Sequence, residues 1–298
     1  PHNFLGGERT LDVQKATAAI EGKIGRALGL SARQAAAGIV QVAVHNSAGA
    51  IRRECLDRGV DPREFLFVAG GGAGPTHAAF IAEELEIPRV VVPSVAPAYC
   101  AYGWLMSDIA LDFVRSKVTP ADESSMAMLN DIYETMEAEA KRILGGNIET
   151  RRTVDARYYG QFRETEVEVP NGKLGAAELK KIEQNFHQRH ERLFKFSMPK
   201  MELEFINYRI KAILRTEKAR LPKITSEGSG LCDAKQGERE CVFGDKVMTA
   251  AIYLGDMLRP GDGLRGPAII EERITTVVVP PTFTCTVDDY GNGVLTRI

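Results

Sequence analysis

The stretch Phe65-Leu66-Phe67-Val68-Ala69-Gly70-Gly71-Gly72-Ala73-Gly74-Pro75-Thr76-His77-Ala78 decides how this chain folds. Phe65 to Ala69 is a continuous apolar run of strand length, the pattern of a strand buried on both faces of a sheet. The glycines that follow predict a tight turn. Pro75 suits the first turn of a helix, because its missing N–H would be unpaired there anyway. That helix runs on through Ala78, Ala79, Ile81 and Leu85, and Pro88-Arg89-Val90-Val91-Val92-Pro93 reads as a second buried strand. Strand, helix and strand make a βαβ unit and set the class as α/β.

Upstream of this unit the periodicity is helical. Thr10 is expected to cap a helix whose positions Val13, Ala16, Ile20, Ile24 and Ala27 form one buried stripe, ended by Gly29. Ser31 with Gln34 has capping-box spacing and opens a long Ala-rich helix that stops at Gly59. Downstream, Tyr99 to Asp112 reads as a further helix and Met126 to Leu144 as an acidic amphipathic one. Gly145-Gly146-Asn147 then marks a domain boundary, giving regions 1–146 and 147–298. In the second region Val154 to Tyr159, Thr165 to Val169 and Leu203 to Leu214 alternate as strands, and Ala176 to Phe194 is a polar helix. Thr216 to Gly237 is irregular. Cys241 to Ile298 is a string of short strands, so a β-rich C-terminal domain is expected.

Composition removes several classes. The 298 residues carry 38 Lys+Arg against 40 Asp+Glu, a net charge of −2 without the basic footprint that nucleic-acid binding requires. No apolar run approaches the ~18 residues of a spanning helix, so no membrane partner is expected. The five cysteines are dispersed and show no C-x-x-C pair, which fits reduced thiols in the cytoplasm better than disulfides or zinc. The first residues, Pro1 to Gly7, have neither an initiator Met nor a signal-peptide core and read as the middle of a longer chain.

The candidate ligand-binding residues are Gly70, Gly71, Gly72, Ala73, Gly74 and Thr76. Lacking Cβ atoms, such a turn lets backbone N–H groups and a helix N-terminus approach a phosphate closely. The turn is neither a Walker A loop, since no Lys is near, nor G-x-G-x-x-G. A nucleotide cradle and a closely packed strand-to-helix turn are both compatible with it. His77 is the candidate for proton transfer, against a packing role in the first helical turn. His187 and His190 share a helix face but lack a third ligand, so no metal site is expected. Asp108 and Asp112 could reach a ligand or serve as caps. Cys100 reads as a packing residue, and Gln161 offers an amide contact.

Six motifs then occur in order: Phe4-Leu5-Gly6-Gly7 with Leu11-Asp12-Val13; Arg58-Gly59 with Asp61-Pro62-Arg63; Gly71 to Ala78; Val92-Pro93 with Cys100-Ala101-Tyr102-Gly103; Ala156 to Gln161; and Gly266-Pro267-Ala268-Ile269-Ile270-Glu271-Glu272 with Pro280-Pro281. Together they resemble the hydantoinase A/5-oxoprolinase family, which includes subunits of acetone and acetophenone carboxylases. The resemblance implies part of an actin-like ATPase (ribonuclease H-like) fold in 1–146, followed by the β-rich domain in 147–298. It implies ATP and Mg²⁺, with the metal held by residues outside this chain, and activation of a small-molecule carbonyl or cyclic-amide oxygen by phosphorylation. The family's Asp-x-Gly-Gly-Thr phosphate loop is absent here. The implied partners are therefore a missing N-terminal actin-like half and a hydantoinase B-like subunit, and the chain is expected to be incomplete alone. A ketone carboxylase subunit is the alternative within the family, and a non-catalytic nucleotide-binding or assembly module the alternative outside it.

Overall fold

Only two residues of the apolar run, Phe67–Val68, form a strand; they pair in parallel with Arg89–Val92, and the helix Gly74–Glu84 makes the crossover. Two parallel strands this short cannot hold themselves, and the rest of the sheet comes from the far end of the chain. Gly293–Arg297 lies antiparallel against Arg89–Val92, Phe283–Val287 lies beyond it, and Gly263–Arg265 forms the edge. Ala78, Ala79 and Ala82 of the crossover helix are buried with Val90, Val92, Phe283, Cys285 and Leu295 of this sheet in one core. Their small side chains let the helix lie close to the sheet. A second, four-stranded sheet runs Thr276–Val279, Ala268–Glu271, Lys246–Leu254 and Lys235–Phe243 in spatial order.

The computed structural model describes residues 3–224 and 230–298. Its contacts divide into two compact units, one formed by the residues up to Leu105 together with Ala219–Ile298, the other by Met106–Lys218. The expected boundary at Gly146 therefore falls inside the second unit. Two physical reasons account for it. The C-terminal strands complete the sheet of the glycine turn, and the helix Met126–Leu144 buries Leu129, Tyr133, Met136 and Ala140 in one core with the strands that follow it.

At the start of the first unit the helical reading holds with local differences. Asp12, not Thr10, is the N-cap, its carboxylate accepting from Lys15 N at 2.9 Å. The expected buried stripe is not buried: Val13 is 55% exposed, Ile20 is half-buried and no residue of Val13–Ile20 is fully buried. A π-helical turn, Glu21–Gly25, shifts the register, and Gly25 approaches the backbone so closely that a Cβ would stand 2.7 Å from Leu30 O. Ser31 and Gln34 form the expected capping box on Ala32–Asp57.

The second unit is a four-stranded antiparallel sheet ordered Ile109–Pro120, Leu203–Leu214, Ile148–Tyr158, Thr165–Val169, with the helices Met126–Leu144 and Ala176–Phe194 contributing to its core. The expected helix over Tyr99 to Asp112 ends at Leu105, because Ile109, Leu111 and Phe113 begin a strand of period two that pairs along Leu203–Leu214. Arg152, with a side chain only 4% exposed, is paired with Glu137 at 2.7 Å and donates to Gly172 O. Of the segment expected to be irregular, residues 225–229 lie outside the described residues, Leu231–Ala234 is a short helix and Lys235 opens a strand.

Leu295 is 1% exposed and faces the core from the strand that supports Arg89–Val92. Leu295→Ala is expected to destabilise the first unit by about 2–5 kcal/mol, the range for a buried leucine truncation. Chemical denaturation of the first unit checks this; a loss below about 1 kcal/mol would mean that the C-terminal strand is not what secures the sheet.

Candidate functional site

The glycine turn leaves the strand Phe67–Val68 through Ala69, whose N–H donates to Val91 O at 2.8 Å. Gly70 then passes against Tyr99 so closely that a Cβ would stand 2.8 Å from the ring. Gly71 adopts φ +87° and donates to Ala96 O at 2.6 Å. These two glycines are demanded by packing and backbone conformation. Gly72 differs: it is exposed, and a Cβ there would meet only Ile274 O, at 3.4 Å. Among the described residues the N–H groups of Gly72, Ala73 and Gly74 have no backbone acceptor. Pro75 at the first turn withholds a fourth donor. The result is three open backbone donors at the N-terminus of an 11-residue helix, where the helix dipole favours negative charge.

A hairpin turn from the second sheet pins this loop. Thr275 Oγ1 donates to Gly72 O at 2.8 Å, and Thr76 Oγ1 donates to Thr276 O at 3.1 Å. The Thr76 hydroxyl hydrogen is thus already used to position the loop.

Thr76 stands between two cavities. On one side a small pocket of about 210 Å³ has a mixed lining, with Gly72, Thr76, Arg239 and Arg273 beside Phe4 and Ile274. On the other a larger cleft of about 970 Å³ is lined chiefly by apolar residues, among them Val40, Val44, Phe80 and Phe243. His77 opens into the cleft and Gly72 into the pocket, while Thr76 lines both. Its Nδ1 is buried without a hydrogen-bond partner, an arrangement that favours an incoming polar group. At the same cleft His45 Nδ1 meets Glu84 at 2.7 Å.

Glu272 is the residue that motif reading passed over. Burial, with the Asp256 charge adding to it, pushes its carboxyl up to about 7. The only sequence signal was its place in the Gly266 to Glu272 motif, which says nothing about ionisation.

The remaining candidates take structural roles. Asp108 accepts from Arg215, Lys218 and Thr216 N, and these cations hold its carboxyl well below the usual range. His190 donates from Nδ1 to Phe196 O, so its Nε2 accepts from Gln161. Tyr158 OH accepts from Met198 N and meets His187 Nδ1 at 2.9 Å, and burial lowers the His187 pKa. Gln161 and both histidines thus belong to one packed cluster in the second unit. Cys100 is exposed, not packed. Among the described residues no group of three or more His, Cys, Asp or Glu could hold a metal ion.

Residues 1–113 match the hydantoinase/oxoprolinase family model, and residues 122–291 match the hydantoinase/oxoprolinase C-terminal domain. The chain belongs to the hydantoinase/oxoprolinase family. Within it, the caprolactamase alpha subunit of Pseudomonas jessenii is 31% identical over 98% of this chain and 44% of that protein. The solved ATP-dependent caprolactamase from the same organism superposes with a TM-score of 0.79, at 31% identity over 99% of this chain and 44% of that one. A nucleotide-free acetone carboxylase, solved in work on ATP-dependent acetone carboxylation, superposes at 0.81 with 27% identity over 100% and 44%. The mixed α/β class expected for the family is the class observed. The chain spans less than half the length of these relatives.

Glu272 has a testable electrostatic signature. Its carboxyl ionises near 4.5 when unfolded and near 7 when folded, so the folded state holds the proton more tightly. Stability is therefore lost as pH rises through this window, by about 3 kcal/mol in full. Glu272→Gln is expected to flatten that fall, measured by urea denaturation at pH 4.5, 6 and 7.5; equal slopes in variant and wild type would contradict the assignment.

Proposed function

We propose that this chain supplies the glycine-loop side of the nucleotide site in an ATP-dependent enzyme that activates the carbonyl oxygen of a small cyclic amide for hydrolysis. The observation that carries this reading is the trio of open N–H groups on Gly72, Ala73 and Gly74, set in a fold that resembles ATP-dependent caprolactamase along nearly the whole chain. Those donors suit a phosphate, and Gly72 leaves room for it. When bound, ATP supplies the phosphoryl group that turns a poorly reactive carbonyl oxygen into a good leaving group.

In this reading Gly70 and Gly71 shape the loop, Gly72, Ala73 and Gly74 contact phosphate, and Thr76 with Thr275 locks the loop to its hairpin. His77 handles the proton on the cleft side, where mostly apolar walls fit the hydrocarbon part of a small cyclic amide while leaving water access to its carbonyl. Because no described cluster in this chain fits a metal, Mg²⁺ is assigned to residues beyond these and no step is routed through it. Partner chains of the hydantoinase B type, and a second nucleotide-binding half, would complete the site in the cytoplasm.

The likeness to acetone carboxylase supports a second reading, carboxylation of a ketone. Phosphate release measured in the intact protein with caprolactam or 5-oxoproline, and separately with acetone and bicarbonate, distinguishes the two. No ATP-dependent reaction in either arm would leave a binding or assembly module.

Two substitutions test the assigned roles. Gly72→Val should keep the fold, since its Cβ meets only ordinary contact, yet lower ATP affinity at least tenfold by filling the space of closest approach; unchanged affinity by calorimetry would make the loop structural. His77→Ala should lower kcat about 10²–10⁴-fold with little change in KM, as removal of a proton-transfer group does, and a normal kcat would exclude it from the chemistry.

A further inference from the structure

The second unit carries a surface that the nucleotide reading does not use. The turn that follows the strand Ile148–Tyr158 holds two strongly exposed aromatic side chains, Tyr159 at 69% and Phe162 at 91%. The turn is nonetheless held in place. Tyr159 N–H donates to Glu202 O at 2.9 Å, Gln161 N–H donates to Tyr158 O at 2.9 Å, and the Gln161 amide donates to the fully buried His190 at 3.0 Å. Met198 N–H donates to Tyr158 OH at 2.6 Å, which ties in the loop leading to Leu203–Leu214. Exposed aromatic rings on a fixed turn have the character of an interface, because the cost of ordering them is met before anything binds.

Beside the turn lies a cavity of about 460 Å³. Part of its wall is apolar: Val118, 60% exposed, and Met201, 44% exposed, line it together with Pro199 and Tyr159. The rest is acidic. Asp122, Glu183, Glu202 and Glu204 line it, and no Lys or Arg does. Asp122 accepts from Ser124 and Glu204 pairs with Arg157. Among the described residues the side chains of Glu183 and Glu202 have no hydrogen bond or ion pair. His187 also lines the cavity, but burial lowers its pKa, so it adds no positive charge at neutral pH.

The turn supplies what the cavity lacks. Arg163 follows Phe162, is exposed, and among the described residues has no ion pair. Glu164 comes next, at the foot of the strand Thr165–Val169, and Lys200 stands in the facing loop beside Pro199 and Met201. One face thus carries an aromatic and cationic projection and, next to it, a cavity with an apolar wall and two unpaired carboxylates. Within one chain Arg163 does not meet those carboxylates.

We propose that this face joins two copies of the chain about a twofold axis, the Phe162–Arg163 tip of each copy entering the cavity of the other. A twofold contact is self-complementary, so a projection and a cavity side by side on one face satisfy each other twice. Phe162 covers the exposed Val118 and Met201 of the second copy. The Arg163 guanidinium reaches Glu183 and Glu202 with the Tyr159 ring beside them, and a guanidinium suits both a carboxylate and an aromatic face. A partner surface of a single charge would match the tip or the cavity but not both. The inference is independent of the nucleotide reading.

The test is sedimentation velocity of the intact protein over a range of concentrations, for the wild type, Phe162→Ala, Arg163→Glu and Glu202→Arg. The wild type should form a dimer, and each single substitution should raise its dissociation constant at least tenfold. All three residues are exposed, so the fold of the unit is not at stake. Twofold symmetry makes a sharper demand on the two charge variants. Each places like charges together twice when it meets its own copy. Mixed one to one, they should dimerise again, because the altered tip of one then faces the altered cavity of the other and the second contact is the native one. A wild type that stays monomeric overturns the proposal and leaves the face to a different chain. A dimer that all three variants keep, or a mixture that associates no better than its components, overturns it as well.

Discussion

Everything at the candidate site depends on a pairing between residues far apart in sequence: Gly293–Arg297 against Arg89–Val92. The parallel strand that launches the glycine loop is two residues long and touches one neighbour. Its position is therefore only as secure as that neighbour, which is held on its other side by the C-terminal strand. The alanine-rich crossover helix then buries its inner face on the finished sheet, and its N-terminus, with three open N–H groups, is fixed in space. Precision at the loop comes from long-range β pairing, not from the loop's own conformation.

The second sheet adds the chemical detail. Its hairpin turn brings Thr275 to Gly72 and Thr276 to Thr76, and it starts at Glu272, whose carboxyl is packed against Gly255 and raised by burial. One short turn thus locks the loop from two sides. On the other side of the same helical turn, His77 faces an environment of opposite character, wide and mostly apolar. A single residue, Thr76, separates a small pocket of mixed lining from a wide cleft that is mostly apolar.

How far this could be read in advance depended on whether the deciding contacts were local. The capping box at Ser31 and Gln34, the stop at Gly29 and the crossover helix after Pro75 are set by neighbours within a few residues, and all three are as the sequence implies. The domain boundary was misplaced because Gly145 and Gly146 are conformational stops; both take positive φ, but burial of Tyr133 and Met136 carries the core across them. The stripe of Val13 was expected to be buried because periodicity reports amphipathicity, whereas what covers a face is not written in the segment itself. The glycines could be recognised as special, yet only the structure separates Gly70 and Gly71, required by packing and φ, from Gly72, which remains open. Glu272 was invisible for the same reason: its raised pKa comes from burial and from the charge of Asp256, both set by folding.

The division of the chain also bears on the order in which it can acquire structure during synthesis. Met106–Lys218 is one continuous stretch and holds all the partners of its own core, so it can fold as soon as it leaves the ribosome. The segment carrying the glycine loop is made earlier but must wait for Gly293–Arg297, some 200 residues downstream by the strand register. During that interval the short pair Phe67–Val68 and Arg89–Val92 presents an unprotected edge. The glycine loop is therefore made well before the strand that secures it, and its neighbouring apolar strands are the place where premature association with other chains would begin.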